Sequence, residues 1–141
     1  MLELTLELDK ITYSSQDDIK TKVILKNSGD KPLLVNGRLA LNSPDAPDEF
    51  REVSLLITNN IGDELPFSAR VNIGEPKDKD FKELVSHQSI EREYSLRSVF
   101  ELSKASNYSA RAVYQNQADP SVGAAWKGEV TSNTVSFTVV S

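Results

Sequence analysis

The sequence contains one histidine, His87, and most kinds of enzyme chemistry would depend on it. Imidazole is the usual general base and a common metal ligand near neutral pH, so a Ser-His-Asp triad or a zinc site would be built around this residue. His87 lies between Ser86 and Gln88 in a predicted turn, and the chain has no Gly-x-Ser-x-Gly segment. No set of nucleophile, base and electrophile can be assembled from these residues. The sequence therefore predicts a protein that is not an enzyme, with a solvated His87.

Acidic residues that could bind a cation occur in three predicted loops. The three groups are Asp17–Asp18, Asp45 with Asp48 and Glu49, and Asp78 with Asp80. Calcium takes about six to eight oxygen ligands, but none of these groups has the spacing of an EF-hand. We expect solvated loop charges and neither a metal nor a cofactor, and calcium in these loops stays open as an alternative. Glu3 and Glu7 fit the wet face of a strand better than a pair of glycosidase carboxylates.

The proline-rich loop from Asn42 to Asp48 is the best candidate for binding another protein. Its two prolines restrict the backbone, so less conformational entropy is lost when the loop is ordered on binding. We predict a partner-binding site at Pro44, Asp45, Ala46 and Pro47. The same loop could project like the reactive segment of a proteinase inhibitor, and this alternative stays open.

Composition disfavours several other classes of function. The net charge is −5 and lysine and arginine form no cluster, so we expect no nucleic acid and no membrane as a partner. The chain has no cysteine, which excludes disulfides and thiolate metal sites and fits a reducing compartment. Met1 is not followed by the pattern of a secretory signal, and no apolar run approaches the roughly 20 residues that span a bilayer. We expect a cytoplasmic protein, although a domain excised from a secreted protein would look the same.

Apolar residues recur at every second position in several short runs, which is the pattern of strands with one buried face. The runs are Leu2–Leu8, Ile19–Leu25, Leu33–Leu41, Val53–Ile57, Phe67–Ile73, Tyr108–Tyr114 and Val135–Val139. Two layers of such strands must cover each other, and 141 residues suit one core. The sequence predicts one domain over 1–141, an all-β, immunoglobulin-like antiparallel β-sandwich of seven or more strands with no disulfide. A turn is expected at Tyr13–Asp17 and one helical turn at Val99–Leu102.

The last part of the chain contains an uncharged strand and the single tryptophan. Thr134–Val140 lacks charge, which predicts a strand that is central or paired and leaves open a homodimer through an edge strand. Trp126 precedes Gly128, and we expect its ring to cover one end of the core. An exposed aromatic ring for contact with a sugar or a protein is the alternative.

The segment Ala105–Ala110 resembles the tyrosine corner of immunoglobulin-like domains, with Tyr108 as the tyrosine and Ala110 at the position of the second disulfide cysteine. The chain is similar to small immunoglobulin-like modules of bacteria through four segments. These are Ile24–Gly29, Asn107–Tyr114, Trp126–Gly128 and Ser132–Val139. Such modules precede the catalytic domain of deuterolysin-like metalloendopeptidases, and the bacterial intracellular proteinase inhibitors have a comparable sandwich.

The resemblance implies the fold and says little about activity, because such folds carry many functions. The chain has no His-Glu-x-x-His segment, so the catalytic domain of the metalloendopeptidases is absent, and Asn42–Lys82 aligns with neither family. We therefore predict a non-catalytic interaction module that binds an unidentified protein partner through its loops or a sheet edge. The alternative is a proteinase inhibitor that acts through Pro44–Pro47.

Overall fold

The computed structural model describes residues 1–69 and 73–140, which form ten β-strands and three short 3-10 turns. The strands are β1 (Leu2–Leu8), β2 (Thr12–Ser14), β3 (Lys20–Asn27), β4 (Leu33–Asn36), β5 (Val53–Thr58), β6 (Phe81–Leu84), β7 (Ser89–Ser95), β8 (Ser106–Asn116), β9 (Gly128–Thr131) and β10 (Val135–Val140). The 3-10 turns are Asp48–Phe50, Asp78–Asp80 and Leu96–Ser98. No α-helix occurs in the described residues, and the predicted all-β class is confirmed.

The first layer is the antiparallel sheet β1–β3–β7. Its two faces follow the alternation of the sequence, since Leu2, Leu4 and Leu6 are buried while Glu3 and Glu7 are exposed. The same period of two buries one side of β3, because side chains on a pleated strand alternate between its faces. The predicted first and second strands are confirmed.

The second layer is the sheet β2–β10–β8–β5, in which β9 pairs with the second half of β8. β10 lies between β2 and β8, which confirms that the uncharged final strand is central. The pair β2–β10 is parallel, an exception to the predicted antiparallel arrangement. Residues 9–11 carry the chain from the first layer into the second, where β2 meets β10. Periodicity within one strand does not specify its partner, so this parallel pair could not be predicted from the alternation of β2 and β10.

The two layers enclose a continuous hydrophobic core. Val23, Leu55, Ile57 and Ala112, on the inner faces of β3, β5 and β8, have no exposed surface. Aromatic rings extend the core at one end, where Phe137 stacks on Tyr108 with 5.5 Å between ring centroids. These facing layers confirm the predicted sandwich. β4 and β6 form a separate two-stranded sheet.

The structure corrects two of the predicted strands. The third strand ends at Asn36 instead of Leu41. Gly37 lies close to the side chains of Lys82 and Ile90. Leu39 has a φ of +53°, which does not occur in extended backbone, so the strand cannot continue to Leu41.

The fifth predicted strand, Phe67–Ile73, is wrong where the structure describes it. Val71 lies outside the described residues, and neither Phe67–Ala69 nor Ile73 belongs to a strand. Phe67 instead packs edge-on against Phe100, with 5.7 Å between ring centroids. Phe67 is apolar because its segment covers the core, and not because it pairs with another strand.

Two shorter predictions are also corrected. Tyr13 is fully buried in β2, so the predicted turn covers only Ser14–Asp17, where the Asp17 N–H donates to the Ser14 carbonyl at 3.2 Å. The helical turn expected at Val99–Leu102 is a 3-10 turn at Leu96–Ser98, since the Leu96 carbonyl accepts the N–H groups of Val99 and Phe100. Periodicity identified the apolar residues of these segments but not their backbone hydrogen bonds.

Candidate functional site

The Pro44–Pro47 loop is a compact structure made of two successive turns. The Ala46 N–H donates to the Ser43 carbonyl at 3.1 Å, and the Asp45 N–H donates to the Ser43 hydroxyl at 3.1 Å. Pro47 then precedes the 3-10 turn Asp48–Phe50, where a proline is compatible because the first N–H has no partner within such a turn. The loop therefore lies close to the body of the molecule and is not extended.

Arg51 holds this loop in place. Its Nη1 donates to the Pro44 carbonyl at 3.0 Å, and its Nη2 forms an ion pair with the Asp48 carboxylate. The Asn42 side chain adds a second tie, because its amide donates to the Phe50 carbonyl at 2.9 Å. A loop that is ordered before binding loses less conformational entropy when a partner is bound.

The loop forms one rim of an open depression of about 330 Å³ on the outer face of the second sheet. Pro44 and Asp45 line it, whereas the predicted site residues Ala46 and Pro47 do not. The floor comes from β5, β8 and β9, whose register places Leu56 opposite Arg111 and Val113 opposite Thr131. The structure thus brings half of the predicted loop residues together with strand residues that the sequence analysis did not select.

The depression carries charges of both signs. It is lined by two basic residues, Arg51 and Arg111, and by three acidic ones, Asp45, Glu64 and Glu129. Arg111 is exposed and, among residues 1–69 and 73–140, has no ion-pair partner. Small-molecule sites are typically enclosed and largely apolar, while the rims of protein interfaces are polar and open. The chemistry of this surface fits a protein contact better than a small ligand.

A buried ion pair that the sequence analysis missed supports the chain on both sides of this loop. Arg38 donates from Nε and Nη2 to the Glu52 carboxylate, which also accepts the Ala40 N–H at 3.1 Å. The hydrogen bond to Glu52 raises the pKa of Arg38 above its ordinary value, so the guanidinium stays charged. Arg38 also donates to the carbonyls of Ile73 and Gly74, at 3.0 and 3.1 Å. Neither residue stood out in the sequence, because they lie 14 positions apart and no local pattern links them.

The other residues singled out in the sequence lie in a turn, pack on the core or bond to the backbone. His87 is exposed in the turn between β6 and β7, with φ of +67°, which confirms its predicted position. The Trp126 ring is half-buried and packs on Tyr114, with 5.8 Å between ring centroids, as expected of a ring that covers the core. Gly128 has φ of +137°, and a Cβ there would lie 3.3 Å from that ring.

The Tyr108 hydroxyl donates to the Lys104 carbonyl at 2.9 Å, which is the geometry of a tyrosine corner.

At least one carboxylate in each of the three predicted loops has a neighbouring donor, namely Ser14 for Asp17, Arg51 for Asp48 and Ser121 for Asp78. Asp78 accepts hydrogen bonds from the Ser121 hydroxyl and, at 2.8 Å, from the Ser121 N–H, and both lower the pKa of the Asp78 carboxyl group. Asp119, which was not among the predicted groups, pairs with Lys127, and this hydrogen bond lowers the pKa of the Asp119 carboxyl group. In the described part of the chain, no group of three histidine, aspartate or glutamate side chains is placed to hold a metal ion.

Comparison with protein-family models and with curated protein sequences found no match. Among solved structures, the chain is similar to a β-glucosidase from Erythrobacter marinus, with 13% sequence identity and a TM-score of 0.45. The alignment covers 99% of this chain and 15% of the β-glucosidase chain. The similarity is too low to carry the activity of that enzyme over to this protein. Within residues 1–69 and 73–140, no helix has the length and hydrophobicity needed to cross a membrane.

Proposed function

We propose that this protein is a non-catalytic interaction module that binds a protein partner at the depression beside the Pro44–Pro47 loop. The observation that carries this proposal is the fixed position of the loop, which Arg51 ties at the Pro44 carbonyl and at Asp48. Arg111 on the floor of the depression, which forms no ion pair with the residues that the structure describes, supplies a charge that a partner can neutralise. The absence of cysteine supports a cytoplasmic location for this interaction, and the resemblance to bacterial immunoglobulin-like modules supports a bacterial setting.

Site-specific photocrosslinking in the cells that carry the gene tests the proposal. A benzophenone side chain introduced at Asp45 should give a discrete crosslinked protein, because this position lines the depression. The matched control carries the same group at Lys79, which is exposed in the 3-10 turn Asp78–Asp80, and should not give that product. Arg111→Glu should remove the crosslink from Asp45 by reversing a charge on the floor. An absent crosslink, or one that survives Arg111→Glu, would count against the proposal.

Proteinase inhibition through Pro44–Pro47 remains the alternative proposal. Two turns fold the loop back onto Arg51, and no extended stretch is present between Ser43 and Phe50 to lie in a protease cleft. Residual activity of a panel of serine and metalloproteases measures this function directly. Dose-dependent inhibition that is lost in Pro44→Gly/Pro47→Gly would favour it over the interaction module.

A further inference from the structure

The outer edge of β7 presents backbone groups without partners. The N–H and carbonyl of Leu6 in β1 point away from β3, as their hydrogen bonds to the Asn133 side chain show. Leu6 lies opposite Val23 of β3, and Val23 lies opposite Arg92 of β7. Because backbone groups alternate in direction along a strand, Val23 and Arg92 bond to each other, and the N–H and carbonyl groups of Glu91 and Glu93 point away from β3. Within residues 1–69 and 73–140, these groups of Glu91 and Glu93 have no hydrogen-bond partner.

Other long edges of the sandwich are closed at particular positions. The β5 edge is occupied at both ends, since Val53 exchanges hydrogen bonds with the segment Ala40–Asn42 and the Ile57 carbonyl accepts the Leu65 N–H at 2.8 Å. The β1 edge is closed at Leu6 by the amide of Asn133. Natural proteins usually block exposed edges in such ways, because an open edge accepts a further strand. The open β7 edge is therefore a place where an extended segment can add to the sheet.

The outer face of this sheet alternates in charge from strand to strand. β1 contributes Glu3 and Glu7, and β3 contributes lysines that pair with them across the ladder, with Glu3 opposite Lys26 and Glu7 opposite Lys22. β7 again contributes acidic side chains, and Glu91 lies 3.7 Å from the Lys22 Nζ. Glu93 has no ion-pair partner among the described residues. A strand added beyond β7 would continue this order if its side chains on this face were basic, because opposite charges stabilise cross-strand pairs.

We infer that the β7 edge binds an extended segment of another protein in which lysine or arginine alternates with apolar residues. The basic side chains lie beside Glu91 and Glu93. The apolar ones lie on the opposite face beside the half-buried Ile90 and Tyr94, where the exposed Arg92 between them donates to the carbonyls of Arg38 and Leu39. A second copy of this chain fits less well, because symmetric antiparallel pairing in the registers that overlap both glutamates places Glu91 opposite Glu93 or a glutamate opposite its own copy. This site lies in the first sheet and the depression lies on the second, so changes at one leave the other intact.

The test uses a fluorescein-labelled peptide of eight residues in which lysine alternates with valine. Fluorescence anisotropy should show that Glu91→Lys/Glu93→Lys weakens binding about tenfold or more, because two attractive cross-strand pairs become repulsive. The control Glu75→Lys/Glu101→Lys changes the net charge equally at exposed positions outside β7 and should bind like the wild-type protein. Arg111→Glu should also bind like the wild-type protein, which separates this site from the proposed depression.

Strand addition is distinguished from general attraction of a basic peptide by its hydrogen bonds. The bound peptide should slow amide hydrogen exchange at Glu91 and Glu93, and methylation of alternate peptide nitrogens should abolish both the protection and most of the affinity. Equal affinity for the two charge variants would overturn the inference. Equal affinity of the methylated peptide would do so as well, and so would dimerisation of the wild-type protein through β7 in a solution mass measurement.

Discussion

The two edges of the first sheet, β1 and β7, are both acidic on their outer face and yet differ in how they end the sheet. β1 packs Leu2, Leu4 and Leu6 into the core and has its outward backbone closed at Leu6 by Asn133. β7 has no fully buried side chain, and among residues 1–69 and 73–140 the outward backbone groups of Glu91 and Glu93 have no partner. Two acidic edge strands therefore differ at their centres, because an amide from the other layer reaches Leu6 of β1 and, in the described part of the chain, none reaches Glu91 or Glu93 of β7.

The largest expected effect concerns the unequal packing of the two edges. Leu6 is 1% exposed, and Leu6→Ala should lower the free energy of unfolding by about 3 kcal/mol through lost transfer energy and a cavity. Ile90→Ala, at a half-buried position of β7, should cost about 1 kcal/mol. Urea denaturation followed by tryptophan fluorescence measures both. Equal costs would show that the two edge strands are packed alike.

Removal of the closing amide should make the β1 edge resemble that of β7. Asn133→Ala deletes the acceptor of the Leu6 N–H at 2.9 Å and the donor to the Leu6 carbonyl at 3.1 Å, and should cost about 1–2 kcal/mol. Asn133→Asp keeps the acceptor and loses the donor, so its cost should be intermediate. Amide hydrogen exchange at Leu6 should accelerate in Asn133→Ala and stay slow in Asn133→Asp, which keeps the acceptor of the Leu6 N–H. Unchanged exchange at Leu6 in Asn133→Ala would mean that Asn133 does not close this edge.

The smallest effect concerns the inner side of β7, where the Tyr94 hydroxyl donates to the Leu39 carbonyl. Tyr94→Phe should cost about 1 kcal/mol at pH 7 by leaving that carbonyl without this donor. Burial raises the pKa of Tyr94, so its contribution is complete below the unfolded pKa near 10 and is lost as the pH rises above that value. The difference in unfolding free energy between the wild-type protein and Tyr94→Phe should therefore narrow between pH 9 and pH 11 in urea titrations. A constant difference would contradict a buried, neutral Tyr94.

Much of the fold was predictable because its signal is local. The alternation in Leu2–Leu8 and Ile19–Leu25 fixed which side chains face the core, and the structure follows it. The segment Phe67–Ile73 shows where this reasoning fails, since Phe67 is apolar because it covers Phe100 and not because it lies in a strand. The candidate site was predicted in part. Its loop has a local signal in two prolines, whereas Arg111 is one charged residue on the wet face of a regular strand.

By itself, the sequence determined the all-β class, the buried faces of the main strands and the position of the proline-rich loop, because each depends on residues that are neighbours along the chain. Tertiary structure decided that Arg51 fixes this loop over β5 and β8, that Arg38 pairs with Glu52, and that β7 keeps an open edge. The first depends on the turn geometry that brings the Pro44 carbonyl to Arg51, and the other two depend on how separate segments of the chain pack together. Residue spacing along one strand carries no information about which segment will lie beside it.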